Sequence, residues 1–262
     1  MAGKRVVVFG AGSVGPGVGN GKAAALLYAR EGAQVLCVDK VGEAAEETAQ
    51  MVAEEEGEAA HFAADVTVNG AAGKAIDACR ARFGGLDVVH FNVGVSRPGG
   101  VADAPIEDWR TVFSVNVDGA MLAARAALPL FLAQKKGVFV FISSVAAVRS
   151  GGYAYASYEA SKAALNRLAQ TIAITHAADG VRANVVMPGL IDTPHVTAMI
   201  AGKATSHDGL AERRAAAAPM KRQGSAWDVA EASVFLASDA AGYITGALLP
   251  VDGGLTLTVP SP

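Results

Sequence analysis

The sequence predicts a doubly wound α/β fold in three layers, with a parallel sheet of about seven strands and helices on both faces. Three observations lead to this prediction. Short apolar runs alternate with helical stretches along the chain. The runs are continuously apolar, as in strands buried on both faces. No linker, composition change or internal repeat divides the chain, so we expect residues 1–262 to form a single domain.

Composition and charge narrow the class of protein. The chain has 262 residues, 52% hydrophobic and 18% charged, which supplies a large core and argues against disorder. A net charge of −3 with scattered basic residues argues against a nucleic-acid partner. Two cysteines fit a reducing compartment, and no apolar run reaches about 20 residues, so we expect a cytoplasmic protein without a membrane span.

The first part of the chain is predicted to form a strand, a glycine-rich loop, a helix and a second strand, which is followed by an acidic residue. The strand Val6–Phe9 leads into the loop Gly10–Gly21, the helix Lys22–Arg30, the strand Val35–Val38 and then Asp39. Glycines let the backbone approach a diphosphate, and the N-terminus of the following helix offers free N–H groups and a favourable dipole. This unit therefore predicts a dinucleotide site of the Rossmann type.

Asp39 bears on which dinucleotide binds. A carboxylate after the second strand accepts hydrogen bonds from a ribose diol and repels a 2′-phosphate, which favours NAD over NADP. The adjacent Lys40 weakens that preference. A P-loop is the rival for Gly21-Lys22, but its spacing needs Gly at position 16 and Ser or Thr at position 23, where Pro16 and Ala23 stand.

The rest of the chain continues the alternation. We expect strands at 59–64, 86–91, 138–142, 181–187 and 247–251, and helices at 43–56, 68–83, 105–135 (interrupted at Gly119 and Pro129), 155–178 and 227–238. Ser225 is expected to cap the last helix. Residues 190–219 have weak periodicity and are predicted to form a lid over a site.

Six residues follow the ends of predicted strands: Gly10, Asp39, Asp65, Asn92, Ser144 and Pro188. Because ligands of such sheets bind at the carboxyl ends of the strands, these residues should meet at one edge. Asp65 is expected either to contact an adenine or to cap the next helix. Asn116 lies among apolar neighbours and needs a partner, in a capped kink or a water-holding proton relay. His90 is expected in the core.

The stretch from Ser144 to Lys162 carries the candidate chemistry. Tyr158 and Lys162 are four residues apart on a predicted helix, so they share a face. A free tyrosine, with a pKa of about 10, is a poor base at neutral pH, and a nearby ammonium favours the phenolate. With the Ser144 hydroxyl these groups form a proton-transfer site for an alcohol or ketone. The rivals Tyr153 and Tyr155 have no lysine four residues on.

Further motifs fall in a recognisable order: Asn92-x-Gly94, Asn116, Ile142-Ser143-Ser144, Tyr158-x-x-x-Lys162, Pro188-Gly189 with Thr193, and the ending from Gly242-Tyr243-Ile244-Thr245-Gly246 to Val251-Asp252-Gly253-Gly254. With them the chain resembles the short-chain dehydrogenase/reductase family over essentially its full length. The resemblance implies an NAD(P)-dependent oxidoreductase that transfers a hydride between the cofactor and a secondary alcohol or ketone. The family is commonly tetrameric, so we expect a homotetramer or dimer.

The resemblance also implies residue roles. Tyr158 would be the general acid/base, Lys162 would lower its pKa and hold the nicotinamide ribose, Ser144 would orient the substrate oxygen, and Asn116 would anchor a proton relay. No metal is expected. NAD would contact Gly10, Gly19, Asn20, Gly21, Asp39, Asp65, Val66, Asn92, Gly94, Tyr158, Lys162, Pro188, Gly189, Ile191 and Thr193.

Two segments depart from the family pattern. Phe9 stands where the family has Thr, and about five extra residues lie between Gly10 and the pair Gly19 and Gly21, which we align with the family's closing glycines. Gly15-Pro16-Gly17 is the competing alignment. The segment from Ser144 to Tyr158 is one residue longer than in the family. The turn that carries the extra residue, 149–155, is expected to face substrate.

The sequence indicates the substrate class less clearly than the cofactor. Ser144, Arg149, Tyr155 and His195 are the candidate substrate contacts, and with Arg97, Arg213 and Arg214 they favour a polar or anionic substrate. Two other functions stay open: an NAD-binding sensor or scaffold without turnover, and an epimerase or dehydratase that retains NAD. All four catalytic residue types argue against the first, and the absence of a longer substrate domain argues against the second.

Overall fold

A computed structural model describes residues 1–150, 154–194 and 209–258. Seven strands form one parallel sheet in the order β3-β2-β1-β4-β5-β6-β9, and β7 and β8 pair separately. The strands are β1 Arg5–Phe9, β2 Gln34–Asp39, β3 Glu58–Ala63, β4 Val88–Phe91, β5 Gly137–Ile142, β6 Val181–Pro188, β7 Ile191–Asp192, β8 Gly224–Ser225 and β9 Leu248–Val251. The predicted fold class is confirmed.

Helices cover both faces of this sheet. They are α1 Asn20–Arg30, α2 Gly42–Glu54, α3 Ala71–Phe83, α4 Ile106–Phe113, α5 Gly119–Gln134, α6 Ala156–His176, α7 Leu210–Ala217 and α8 Ala226–Ala237. Residues of β1 alternate between two cores: Val7 and Phe9 pack with α3, α5 and α6, whereas Val6 and Val8 pack with α1, α2 and α8. The continuous apolar runs therefore reflect burial on both faces.

The long helical stretch is interrupted just before Gly119, one of the two predicted positions. A π-helical turn at Ser114–Asp118 joins α4 to α5, and Asn116 is buried within it. Pro129 lies inside α5 without ending the helix. Gly119 begins α5, and a Cβ there would lie 2.8 Å from Val66 Cγ2. The absence of a side chain at Gly119 thus allows α5 to pack closely against Val66, which follows β3. The π-helical turn buries Asn116.

The same stretch, Ile106–Gln134, is long and apolar enough to cross a membrane by length and composition, with a mean hydropathy of 1.3 over its most apolar window. One face of α5 packs on the sheet through Ala120, Ala123 and Phe131. Core helices of globular proteins can be equally long and apolar, so the stretch is weak evidence for a membrane span. The expected absence of a span stays a prediction.

The predicted lid is described only in part. Residues 190–194 and 209–219 contain β7, which pairs with β8, and α7. Residues 195–208, with His195 and His207, lie outside the described residues, as does Tyr153. Ser225 caps α8 in a capping box with Asp228, as predicted.

His90 is a core residue, as predicted. It is fully buried, and its Nδ1 lies 3.3 Å from the Tyr28 hydroxyl. Burial lowers the pKa of His90 to about 3, so the ring is neutral at physiological pH. The ring therefore stabilises the packing between β4 and α1 rather than titrating near the cavity.

Candidate active site

The carboxyl ends of the strands surround a cavity of about 380 Å³, called here the main cavity. It opens where the winding order reverses: the chain runs outward from β1 to β3 and then returns to β4, on the other side of β1. Such a switch point leaves a crevice outside the strand ends. The predicted residues that line it are Gly10, Gly19, Asn20, Asp39, Asn92, Gly94, Ser144, Tyr155, Tyr158, Lys162, Pro188, Gly189, Ile191 and Thr193.

The glycine loop closes at the start of α1. Helix α1 begins at Asn20, with Gly19 as the N-cap residue and no side-chain cap, so backbone N–H groups remain for an anion. A Cβ on Gly21 would overlap the Gly10 carbonyl oxygen and lie 2.7 Å from Asn92 Nδ2. Asn92 Nδ2 donates to Gly10 O over 3.0 Å. The structure thus places Gly19 and Gly21, not Gly15 and Gly17, at the helix start.

Residues 14–18, called here the inserted loop, project from the base of this turn. The base is closed by a hydrogen bond from Gly19 N to Ser13 Oγ over 2.7 Å. Gly15 and Gly17 adopt left-handed backbone angles, φ +81° and +114°, which favour glycine. Val14 lines the main cavity, although the sequence did not indicate it as a site residue.

Asp39 is fixed in place by backbone donors. Its Oδ2 accepts Gly12 N–H over 3.0 Å, and its Oδ1 accepts Val41 N–H over 3.1 Å. A Cβ on Gly12 would lie 2.9 Å from Asp39 Oδ2 and 2.7 Å from Ala44 Cβ. Gly12 is thus a site residue that sequence reasoning missed, because the insertion obscured which of the loop glycines corresponds to the family pattern.

Asp65 and Val66 line a neighbouring cavity of about 620 Å³, which shares Gly10 and Asp39 with the main cavity. Asp65 lies 2.8 Å from Lys40 Nζ, and hydrogen bonds from Lys40 and then Thr67 lower the Asp65 pKa to about 2. Helix α3 is capped by Gly70 instead, so Asp65 does not cap it. Of the two carboxylates, only Asp39 also lines the main cavity.

Ser144, Tyr158 and Lys162 meet at the end of β5. The Tyr158 hydroxyl is hydrogen bonded to the Ser144 side chain. Lys162 Nζ lies 5.7 Å from the centroid of the Tyr158 ring and donates to Ile142 O over 2.9 Å. Ser143 Oγ donates to the Lys162 carbonyl over 3.1 Å, which ties α6 to β5. The three predicted side chains therefore share one wall of the main cavity.

Burial is the largest influence on the pKa values of the two titratable groups in this wall. Loss of hydration raises the Tyr158 pKa, and the hydrogen bond with Ser144 opposes that rise. Lys162 Nζ donates to the Ile142 carbonyl, and the predicted lowering of the Tyr158 pKa by its positive charge stays a prediction. Burial lowers the Lys162 pKa to about 8, so the ammonium still predominates at neutral pH.

Asn116 connects the loop after β4 to helix α6 through hydrogen bonds of its side chain. Its Oδ1 accepts Val95 N–H over 2.8 Å, and its Nδ2 donates to Val95 O and to Ser161 Oγ, each over 2.9 Å. Asn116 is fully buried and is not among the residues that line the main cavity. The structure therefore gives it a bracing position between the loop after β4 and α6, and Ser161 is a partner that the sequence did not indicate.

The candidate substrate contacts separate into two groups. Tyr155 and Ser144 line the main cavity. Arg149 donates instead to Leu255 O and, over 2.8 Å, to Thr258 Oγ1, so it holds the C-terminal turn. Arg214 on α7 does line the cavity, and its Nη2 donates to Ile191 O over 3.1 Å. The cavity also has lining residues that were not predicted as site residues: Ser13, Val93, Ser96, Ile142, Ser143 and Pro194.

This cradle fits a nicotinamide dinucleotide. Glycines 10, 12 and 21 leave no room for side chains where the backbone turns into α1. An uncapped helix start suits a diphosphate, and a carboxylate after β2 suits a ribose diol. A Cβ on Gly94 would lie 2.9 Å from Lys162 Nζ, so the loop after β4 also approaches the lysine closely. Dinucleotide binding and proton transfer are therefore compatible within one cavity.

Comparisons with known proteins point the same way. A family model described as enoyl-(acyl carrier protein) reductase matches residues 17–256. The 2-(S)-hydroxypropyl-CoM dehydrogenase 3 of Xanthobacter autotrophicus is 38% identical over 92% of this chain and 94% of its own length.

Solved structures extend the likeness to the whole fold. A Burkholderia xenovorans protein assigned to the short-chain dehydrogenases/reductases superposes with a TM-score of 0.95 at 35% identity, covering 98% of both chains. A 7α-hydroxysteroid dehydrogenase complexed with NADH and 7-oxo glycochenodeoxycholic acid superposes with a TM-score of 0.88 at 28% identity, covering 97% of this chain and 94% of the other. The chain therefore belongs to the short-chain dehydrogenase/reductase family, and it is a nicotinamide-dependent alcohol dehydrogenase or ketone reductase.

Proposed function

We propose that this enzyme uses NAD to oxidise a secondary alcohol, or NADH to reduce the corresponding ketone, with Tyr158 as the general acid/base. The observation that carries the proposal is the hydrogen bond between Tyr158 and Ser144. It lies in the same cavity as the glycine cradle and Asp39. The proposal treats the chain as a single catalytic domain with residues 190–219 as a lid.

In this mechanism the bound nicotinamide accepts or supplies the hydride. Ser144 Oγ holds the substrate oxygen beside the Tyr158 hydroxyl. In the oxidation, the Tyr158 oxygen takes the alcohol proton as the carbon–oxygen double bond forms; in the reduction, it returns that proton to the oxygen. The Lys162 ammonium supplies positive charge next to the phenol, which favours the deprotonated form that burial disfavours.

Other residues are proposed to position Lys162 and to hold the dinucleotide. Asn116 braces the loop after β4 against α6, which keeps Gly94 and Lys162 in contact. Pro188, Gly189, Ile191 and Thr193 form the wall opposite the glycine loop and are proposed to hold the nicotinamide end. Asn20, at the start of α1, is proposed to face the diphosphate.

Arg214 favours a substrate with a polar or anionic group. Arg214 lines the main cavity, whereas Arg149 is directed to the C-terminal turn. We also propose a cytoplasmic homotetramer or homodimer. Exposed apolar side chains on the outer helices, such as Met121 on α5 and Ile174 on α6, support an assembly that buries them.

A screen of secondary alcohols with NAD and NADP in parallel tests the proposed activity. The expected result is reduction of NAD by at least one alcohol, followed as absorbance of the reduced nicotinamide. A protein that binds NAD tightly but reduces it with no alcohol, and oxidises NADH with no ketone, would instead be a sensor or scaffold.

Replacing Asp39 with Ser tests the preference for NAD. We expect the ratio of kcat/KM for NAD to that for NADP to fall by at least about tenfold, equivalent to ~1.4 kcal/mol, because a repulsive carboxylate is removed from the ribose position. The measurement is the ratio of initial rates with each cofactor. Asp77→Ser removes a surface carboxylate far from the cavity and should leave the ratio unchanged. An unchanged ratio in the Asp39 variant would exclude Asp39 as the discriminating group.

A further inference from the structure

The inserted loop, residues 14–18, reaches across the main cavity to the opposite wall. A Cβ built on Gly17 would lie 3.0 Å from Pro194 Cγ and 3.9 Å from Pro194 Cδ, so the Gly17 backbone packs directly on the proline ring. Val14, from the same loop, and Pro194 both line the main cavity. The loop and the opposite wall are therefore joined over the cavity rather than separated by an open cleft.

The two partners of this contact belong to opposite ends of the proposed dinucleotide site. The loop emerges between Gly12, which binds the Asp39 carboxylate, and Gly19, the N-cap residue of α1. Pro194 directly follows Thr193, which lies on the wall proposed to hold the nicotinamide. A dinucleotide that occupied the main cavity from Asp39 to Lys162 would therefore lie close to the contact between Gly17 and Pro194.

The loop is also built to hold this position. The hydrogen bond from Gly19 N to Ser13 Oγ closes its base. Gly17 has φ +114°, a conformation that other residues rarely adopt, and a side chain there would meet Pro194. The glycine thus permits both the backbone turn and the close approach to the proline.

We propose that the inserted loop and Pro194 form a strap across the bound dinucleotide, so that the cofactor leaves only when the strap opens. This inference rests on the proposed dinucleotide site. Opening must precede both entry and exit, so the strap slows association and dissociation together and changes affinity less than it changes the rates. The enzyme would thus keep its cofactor for longer than a relative with the shorter loop.

Two variants open the strap from opposite sides. Excision of residues 14–18 joins Ser13 to Gly19, which are already hydrogen bonded, and recreates the family's shorter loop. Pro194→Ala removes Cγ and Cδ, the atoms that meet Gly17, and leaves the loop intact. Pro105→Ala is the matched control for Pro194→Ala: it removes the same atoms from an exposed proline at the N-cap of α4, which does not line the main cavity.

The test is the dissociation rate of NADH, measured by stopped-flow fluorescence after displacement with excess NAD. We expect the rate to rise at least about tenfold on excision, to rise in the same direction with Pro194→Ala, and to stay near the unaltered value with Pro105→Ala. Equilibrium titration of NADH should change less than the rate does.

An unchanged dissociation rate in either strap variant that still binds NADH would overturn the strap and leave the proposed function intact. Because Pro194→Ala leaves the loop sequence intact, it decides the matter even where the excised chain does not fold. Failure of the unaltered protein to bind NADH would overturn the proposed dinucleotide site, and the strap with it.

Discussion

Tyr158→Phe is expected to lower kcat by about 10²–10⁴-fold, the usual contribution of a positioned general acid/base, while NADH binds almost as before. The phenylalanine ring keeps the shape of the wall but has no hydroxyl to exchange a proton with the substrate oxygen. Because the ring remains beside Lys162, little of the dinucleotide surface should change. The measurements are kcat with the best alcohol and the Kd for NADH by fluorescence titration.

Tyr155→Phe is the matched control. Tyr155 lines the same cavity, but the residue four positions on is Glu159, so it lacks the lysine that accompanies Tyr158. Its loss should change KM more than kcat. If the Tyr155 variant lost kcat and the Tyr158 variant kept it, the acid/base assignment would move to Tyr155.

Gly21→Ala is expected to abolish dinucleotide binding under ordinary assay conditions, weakening it by at least about a hundredfold, or ~2.8 kcal/mol. The new Cβ would overlap the Gly10 carbonyl oxygen and crowd Asn92 Nδ2, so the loop would have to leave the helix start. That movement would break the hydrogen bond between Asn92 and Gly10 and displace the N–H groups proposed to face the diphosphate. The measurement is NADH titration together with a thermal melt.

Gly73→Ala separates this effect from any general effect of alanine at a helical glycine. Gly73 lies in α3, and a Cβ there would be 4.0 Å from Ala126 Cβ, an ordinary contact. It should leave NADH binding unchanged and raise the free energy of unfolding by up to about 1 kcal/mol through helix propensity. Normal NADH binding by the Gly21 variant would show that the loop does not need this close approach.

The fold followed from the sequence because its elements carry strong local signals. The apolar runs of β1, β2, β4 and β5 could be read directly, and Ser225 marked the start of α8. The glycine loop was harder to interpret, because it has glycines at 10, 12, 15, 17, 19 and 21 and no periodicity to set their register. Close packing of Gly21 on Gly10, which is a contact between separate turns, resolves that register.

The directions in which the Arg149 and Lys162 side chains point could not be predicted from the sequence. Arg149 was a reasonable substrate contact from its place in the chain, but its partners are Leu255 and Thr258, more than a hundred residues away. The π-helical turn around Asn116 has no local signature either. The position of Lys162 Nζ against the Ile142 carbonyl depends on how α6 packs beside β5, and for that reason its effect on Tyr158 could not be predicted from spacing alone.

The buried amide of Asn116 has a consequence for the thermodynamics of ligand binding. Because it holds both backbone groups of Val95 and also Ser161, the loop after β4 is ordered by the same interactions that order α6. That segment loses its conformational entropy when the chain folds, so a ligand that docks against it does not have to immobilise it. Any local opening that frees this loop must also loosen α6, which carries Tyr158. The amide hydrogens of the loop and of α6 should therefore exchange as one cooperative unit.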